Sequence, residues 1–568
     1  MTLEAQAIRP SRRRDTVQIT LDSGEVFEGP LDTPLASFAD VSRPDAELPI
    51  VAAIVDGHLT ELSQPVTRDC RVQWLDIAHP DGIRIYRRSL CFVLIVAARE
   101  LYPDLRIVVD HAVPLGGFYC QVKGHAPLTG PELAAIEQRM REIIEQDEPI
   151  ISERLPLETA RSIFAEQGYD DKVHLLQYRT KKEVPVYRLR GLYDYFYGYM
   201  MASTAALRWF RLQTHAPGFI LRVPQESAPT LVPPQRDRSQ LMGVFLEYGR
   251  WLEILGMENI PSLNAAVDEG KILEAILVSE ALHEADIASI AQAIMSRQPM
   301  PRVVLVAGPS SSGKTTFSRR LSIQLKVKGA TPFAIGLDDY FVDRVRTPKD
   351  ANGEYDFEAL EAVDVALFNQ HLLALLGGKP TKLARYDFAT GTSRLGPEVQ
   401  LPNGSILIVE GIHGLNPRLL TEIPPELVYR TYVSALTQLN IDDHNRVPTT
   451  DSRLLRRMVR DARHRGYDAQ ATIERWQSVR RGEMLHIFPY QENADATFNS
   501  ALAYELSVLR PFAEPLLLRV PQDTPAAIEA RRLLAFLEWV RPCDAELVPD
   551  NSLLREFIGG SILRDFQF

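Results

Sequence analysis

The chain has 568 residues, 45% hydrophobic and 24% charged, with a formal net charge of −11 at pH 7. That length exceeds what one hydrophobic core can organise and fits roughly three or four domains of ordinary globular composition. The acidic balance argues against an overall electrostatic grip on nucleic acid and leaves only local basic patches for that purpose.

No apolar run approaches the ~18 residues needed to span a membrane. Residues 1–14 form a basic tail with Arg9 and Arg12 to Arg14 but without the apolar stretch of a secretory signal. Cys70, Cys91, Cys120 and Cys543 are far apart and form no C-x-x-C pair. Neither a disulfide framework nor a zinc cluster is expected, and a reducing cytoplasm is the simplest location. From Val17 the apolar residues alternate through Ile19 and Leu21, and Asp22-Ser23-Gly24 turns the chain into Val26 and Phe27. A second hairpin pattern runs from Ile50 to Val55, turns at Asp56-Gly57 and leaves through Leu59. In pattern and order, residues 15–78 resemble the TGS domain, a ubiquitin-like β-grasp module at the front of threonyl-tRNA synthetases.

Residues 79–222 continue that resemblance. Tyr86-Arg87-Arg88-Ser89 opens an apolar helix reaching Glu100-Leu101-Tyr102-Pro103, and Gly116-Gly117-Phe118-Tyr119 follows a strand. This is similar to the synthetase's second domain, where the helix opens with H-S-x-x-H and a later Cys and His complete a metal site that edits mischarged tRNA. Here the two histidine positions hold Arg88 and Phe92, and the later stretch, Gly191 to Met201, contains neither Cys nor His. Arginine and phenylalanine cannot ligate a metal, so the fold is expected without the editing chemistry. His111, His125 and His174 are expected to be surface or hydrogen-bonded residues rather than ligands. Tyr193, Tyr195, Phe196, Tyr197 and Tyr199 are expected to pack rather than to stack on bases. Residues 223–300 read as a proline-rich linker, then helices near Ser239–Leu255 and Ile272–Ser296 that buttress the next domain.

The apolar run Val303 to Ala307 leads into Gly308-Pro309-Ser310-Ser311-Ser312-Gly313-Lys314-Thr315-Thr316, a G-x-x-x-x-G-K-T phosphate loop succeeded by a helix. Gly308 and Gly313 permit the tight backbone that aims successive N–H groups at phosphate oxygens. Lys314 is placed to reach the outer phosphates, and the Thr315 hydroxyl to complete a Mg²⁺ shell. A second buried strand ends in Asp338-Asp339-Tyr340-Phe341, and a third, Ile406 to Val409, ends in Glu410-Gly411. Carboxylates at the carboxyl ends of parallel strands beside a phosphate loop suit acceptor and metal chemistry. Arg453, Arg457, Arg460 and His464 share one helical face, which reads as a lid over a transferring phosphoryl group.

Residues 301–525 resemble the uridine kinase and phosphoribulokinase family. Besides the phosphate loop and the strand-end carboxylates, the match includes Tyr355-Asp356-Phe357-Glu358, Arg385-Tyr386-Asp387-Phe388 and Arg457 to Arg460-Asp461 with Arg465-Gly466. The resemblance implies ATP and Mg²⁺ as cofactors. It makes Asp338 the residue that activates the acceptor hydroxyl, with Asp339 as the adjacent alternative. Lys314, Arg457, Arg460 and Arg465 would stabilise phosphate charge, and Thr315 and Glu410 would hold the metal. Asp339, Tyr340, Phe357, Glu358, Tyr386 and Phe388 would line the acceptor pocket. Three positions depart from the pattern: Glu358 replaces an aspartate, Gly391 a base-contacting histidine, and Tyr467 an arginine. Residues 526–568 are read as a helical tail with a tight turn at Gly559-Gly560-Ser561.

The expected fold class is therefore multidomain. An α/β phosphate-loop kinase domain on a parallel sheet comes after a small β-grasp domain and an α+β synthetase-like domain. The expected function is ATP-dependent phosphoryl transfer to a nucleoside, uridine first. The alternatives are kinase activity on another small alcohol, and an RNA- or ribosome-associated regulator acting through the front half. The partner expected is a small nucleoside or alcohol and no membrane, with RNA and self-association left open.

Overall fold

The computed structural model describes residues 14–113, 116–234, 239–350 and 353–566; the basic tail expected at the amino terminus lies almost wholly outside them. The chain divides into two compact units, residues 1–234 with 443–445, and residues 235–442 with 446–568.

The first unit opens with β1 (Thr16–Leu21), β2 (Val26–Pro30), α1 (Leu35–Ser42), β3 (Ile50–Val55), β4 (His58–Glu61) and β5 (Cys70–Asp76). They form one sheet in the order β2-β1-β5-β3-β4, with β1 and β5 parallel. Alternation of Val17, Ile19 and Leu21 places all three in a core shared with Leu35 and Phe38 of α1, a β-grasp arrangement. Next come α2 (Pro80–Leu101), β6 (Arg106–Ala112), β7 (Gly117–Lys123), α3 (Gly130–Glu145), β8 (Ile151–Pro156), α4 (Leu157–Glu166) and α5 (Asp170–Gln177). The unit closes with β9 (Glu183–Leu189), β10 (Leu192–Asp194), β11 (Arg211–His215) and β12 (Gly218–Arg222), giving two antiparallel sheets ordered β11-β12-β7-β6 and β10-β9-β8.

On α2, Arg88 donates to the Tyr199 carbonyl and lies so close to Gly198 that a side chain there would collide with its guanidinium. Phe92 packs on Phe196 with ring centroids 5.1 Å apart. Arg88 and Phe92, the two residues expected in place of metal ligands, are thus both packed into the unit. Of the aromatic cluster expected to pack, Tyr195 and Phe196 are buried, Tyr193 and Tyr197 half-buried, and Tyr199 is exposed. His125 and His174 are exposed, whereas His111 is buried beside Asp110, its Nδ1 3.2 Å from that carboxylate.

The second unit begins with α6 (Ser239–Ile254), α7 (Ile260–Asp268) and α8 (Ile272–Ser296), then β13 (Val303–Ala307), α9 (Lys314–Val327) and β14 (Pro332–Gly336). Then come α10 (Val365–Leu376), β15 (Thr381–Asp387), β16 (Thr392–Val399), β17 (Ile406–Glu410), β18 (Val428–Ser434), α11 (Thr449–His464) and α12 (Ala469–His486). β19 (Ala496–Asn499), α13 (Glu505–Leu518), α14 (Ala526–Leu537) and α15 (Arg555–Ile558) complete the chain. The main sheet runs β14-β17-β13-β18-β19, and every pairing in it is parallel. Its central strands carry unbroken apolar runs because both faces are covered. The helix α8 does buttress the phosphate-loop helix: Arg320 of α9 pairs with Glu280 at 3.3 Å and Glu284 at 2.8 Å. The crossovers bring the ends of β13, β14 and β17 to one edge of the sheet, the usual place for a ligand in such folds.

Candidate active site

The loop after β13 is tight for a steric reason. A Cβ on Gly308 would stand 2.0 Å from the Val433 carbonyl oxygen, and Gly313 adopts a left-handed φ of 86°. Lys314 opens α9, and its Nζ donates to the Pro309 carbonyl at 3.1 Å. The Thr315 hydroxyl donates to Glu410 Oε1, at the end of β17, at 2.7 Å. Burial lowers the Lys314 ammonium from its ordinary range, with the Glu410 and Asp338 carboxylates opposing. Burial also pushes Glu410 up to about 7 despite Lys314 beside it. A hydroxyl and a carboxylate in contact are hard oxygen donors, and an added cation would relieve the buried negative charge. They fit a Mg²⁺ ion that keeps most of its waters. Among the described residues no group of three or more His, Cys, Asp or Glu is placed to hold a metal by protein ligands alone.

Asp338 and Asp339 come after β14 in a short 3-10 turn, Leu337–Tyr340. Asp339 is engaged: its Oδ2 accepts from Arg385 of β15 at 2.5 Å. Asp338 lies open to the cleft, ringed by protein, and makes no ion pair among the described residues. Partial removal from bulk water raises its carboxyl above the usual range, Lys314, Arg465 and Arg460 pull it down, and Asp339 adds to the rise. Glu358 faces the same charges. Burial pushes it up to about 7, Arg457 opposing and Asp338 reinforcing, while Gly482 of α12 packs directly on its side chain.

The arginines of α11 separate into two groups, which corrects the expectation of one continuous lid face. Arg453 is buried, bonded to Glu483 of α12 and to the Ser310 carbonyl at 2.9 Å, with its guanidinium 5.3 Å from the Trp476 ring. It holds the phosphate loop from below and cannot swing over a ligand. His464 is exposed. Arg457, Arg460 and Arg465 instead gather on the buried carboxylate of Asp461, at 3.3, 2.8 and 3.6 Å. One carboxylate cannot neutralise three guanidinium groups, so a net positive field faces Asp338 and Glu358. Arg457 also donates to the Ser310 hydroxyl at 2.7 Å.

Four rings form the neighbouring wall, Phe341 and Tyr386 buried in the core behind it, Phe357 half-buried and Phe388 exposed, with centroids 5.0–6.2 Å apart and edge-to-face. Tyr340 does not join them. It is buried in the core with its hydroxyl 3.1 Å from His371 Nδ1, which corrects its placement in the acceptor pocket. Gly391 turns the chain between β15 and β16 with φ +71°, and a Cβ there would meet Arg344, whose Nη2 donates to the Phe388 carbonyl at 2.7 Å. Gly391, where the resemblance implied a histidine, is thus packed by an arginine. Tyr467 is exposed under the Arg475 guanidinium, 4.4 Å away.

Sequence reasoning missed three residues. Phe341 belongs to the aromatic wall, and its place in D-D-Y-F was the available signal. Glu483 accepts from the Ser310 N–H at 3.2 Å, and Glu556 accepts from the Thr316 N–H at 3.1 Å and its hydroxyl at 2.9 Å. Both lie more than 170 residues from the groups they touch, beyond any local pattern.

Residues 303–506 match the model of the phosphoribulokinase / uridine kinase family. The carboxyl-terminal domain is similar to that family. The amino-terminal part is similar to threonine–tRNA ligases. That of Psychrobacter arcticus is 33% identical over 199 residues, 34% of this chain and 30% of the ligase. That of Halorhodospira halophila is 33% identical over 197 residues with the same shares. The chain therefore spans about 30% of the length of these curated relatives. Among solved structures, a possible uridine kinase from Bacillus stearothermophilus aligns with a TM-score of 0.26 at 19% identity, covering 38% of this chain and 98% of that one. D-glycerate 3-kinase from Cryptococcus neoformans aligns with a TM-score of 0.19 at 15% identity, covering 45% and 86%.

Proposed function

We propose that this protein is an ATP-dependent kinase that transfers the γ-phosphoryl group to the hydroxyl of a small alcohol, a nucleoside with uridine first. The observation that carries the reading is the division of labour between the two aspartates. Asp339 is tied to Arg385, while Asp338 stands open to the cleft beside Lys314, Arg460 and Arg465. A carboxylate free of ion pairing and raised above its ordinary range is suited to accept a hydroxyl proton, and the cations beside it are suited to a phosphoryl group in flight. Lys314 and the loop N–H groups hold the phosphates, and Arg457, Arg460 and Arg465 offset charge on the transferring group. Thr315 and Glu410 hold Mg²⁺, which would neutralise phosphate charge when bound. Glu358 and the aromatic wall orient the acceptor.

A second reading, another small alcohol on the same scaffold, is favoured by Gly391. The packing of Arg344 there removes the side chain that relatives place against a pyrimidine. The test is ATP consumption with Mg²⁺ against uridine, cytidine, other nucleosides and sugar alcohols. Turnover fastest with uridine is expected. Turnover only with a non-nucleoside alcohol supports the second reading, and ATP binding without any turnover supports a regulator.

A further inference from the structure

The tail after residue 506 lies outside the family match, yet it reaches the phosphate loop. Leu553 packs against Gly313 so closely that a Cβ on the glycine would stand 2.4 Å from it. Leu553, Leu554 and Phe557 are fully buried, and Arg555 donates to the Ala545 carbonyl at 3.0 Å. Phe557 lies 5.2 Å below the Arg456 guanidinium. The backbone of this segment is therefore fixed on the domain. Glu556, between these anchors, is only half-buried, and its Oε2 takes both the Thr316 N–H and the Thr316 hydroxyl. It also lies near enough to act on the charges of Lys314 and Glu410.

The N–H groups of the first turn after a phosphate loop have no partner inside the helix and are the donors a phosphate takes. Here a carboxylate of the same chain takes one of them. We propose that Glu556 is a resident anion of the phosphate loop: it takes the Thr316 N–H and hydroxyl, and an incoming nucleotide phosphate must displace it. The proposal rests on the reading of this loop as the ATP site. The carboxylate preforms the loop by satisfying a donor, and the same charge repels the phosphate that replaces it. The fixed backbone means that only the Glu556 side chain needs to rotate, so the effect is on nucleotide affinity and leaves the acceptor pocket alone.

The experiment is ATP binding with Mg²⁺ by calorimetry, together with KM for ATP and for the acceptor, in full-length wild type and Glu556→Gln. Removal of one like charge next to a phosphate is expected to tighten ATP binding about tenfold and to lower KM for ATP alike, with KM for the acceptor unmoved. A merely structural Glu556 would weaken ATP binding or shift both KM values, and either outcome overturns the proposal. If Glu556→Gln fails to fold, Glu556→Asp serves: it keeps the charge but withdraws it from Thr316, and weaker or unchanged ATP binding overturns the proposal there too. If wild type and variant both fail to bind ATP, the reading of the loop falls and this one with it. Wild-type binding without tightening in the variant sinks this inference alone.

Discussion

Asp338 and Asp339 are adjacent in sequence and chemically identical, and only their surroundings separate them. The sequence limits the base to this pair, since both end a buried strand beside a phosphate loop. The resemblance puts Asp338 first, but the residue pattern itself does not rank them, because the discriminating partner, Arg385, lies on a hairpin 46 residues away. The structure-based expectation is that Asp338→Asn lowers kcat on the order of 10²-fold or more with ATP affinity nearly intact. Asp339→Asn should act chiefly by freeing Arg385. The pH dependence comes from the direction of the Asp338 shift. A base acts deprotonated, and its carboxyl is raised, mainly by removal from water, so activity must fall as pH drops through a value above the ordinary aspartate range. The kcat/KM profile of the wild type should show that acid limb, and the Asn variant should lose it. An unaltered limb in Asp338→Asn would move the base elsewhere, with Asp339 next in line.

At the scale of elements, α11 shows how far periodicity can be trusted. Its 3.6-residue spacing correctly groups Arg453, Arg457 and Arg460 on one side, yet it says nothing of what each meets. Arg453, nearest the helix start, falls between the phosphate loop and Glu483 of α12, and burial turns it into a strut. Arg460, two turns on, reaches the cleft and pairs with the neighbouring Asp461. The two should therefore fail differently when truncated. Arg453→Ala removes the buried partner of Glu483, leaving that carboxylate with Arg480 at 3.0 Å and the Ser310 N–H, and should cost about 3 kcal/mol of stability, read as a lower midpoint in urea. Arg460→Ala should leave that midpoint nearly unchanged and lower kcat on the order of 10²-fold. Equal loss of stability in both would mean that Arg460 is a second strut. The parallel sheet was legible for a related reason: strands covered on both faces must be apolar throughout, and Val303 to Ala307 and Ile406 to Val409 are. The two-stranded β15–β16 hairpin, carrying Tyr386 and turning at Gly391, was legible as a motif and not as an element, since its exposed second strand has no apolar alternation.

For the whole molecule, chain order was the readable quantity and long-range assembly was not. The β-hairpin signals at Asp22-Ser23-Gly24 and Asp56-Gly57 locate the first sheet. The grouping of residues 443–445 with the first unit has no local signature, because it depends on chain more than 200 residues upstream. The amino-terminal part is similar to threonine–tRNA ligases, and the positions where the resemblance would place metal donors hold packed side chains. Arg88 carries a permanent positive charge that repels a cation, and its side chain occupies the space beside Gly198 and Tyr199. Phe92 fills its own position with a ring packed on Phe196. Restoring chemistry would thus require emptying packed volume as well as replacing ligands. The expected result is that the full-length protein, supplied with Zn²⁺ and mischarged tRNA, releases amino acid no faster than buffer does. Zn²⁺-dependent release abolished by a chelator would show that ligands other than those at the synthetase positions assemble in this unit.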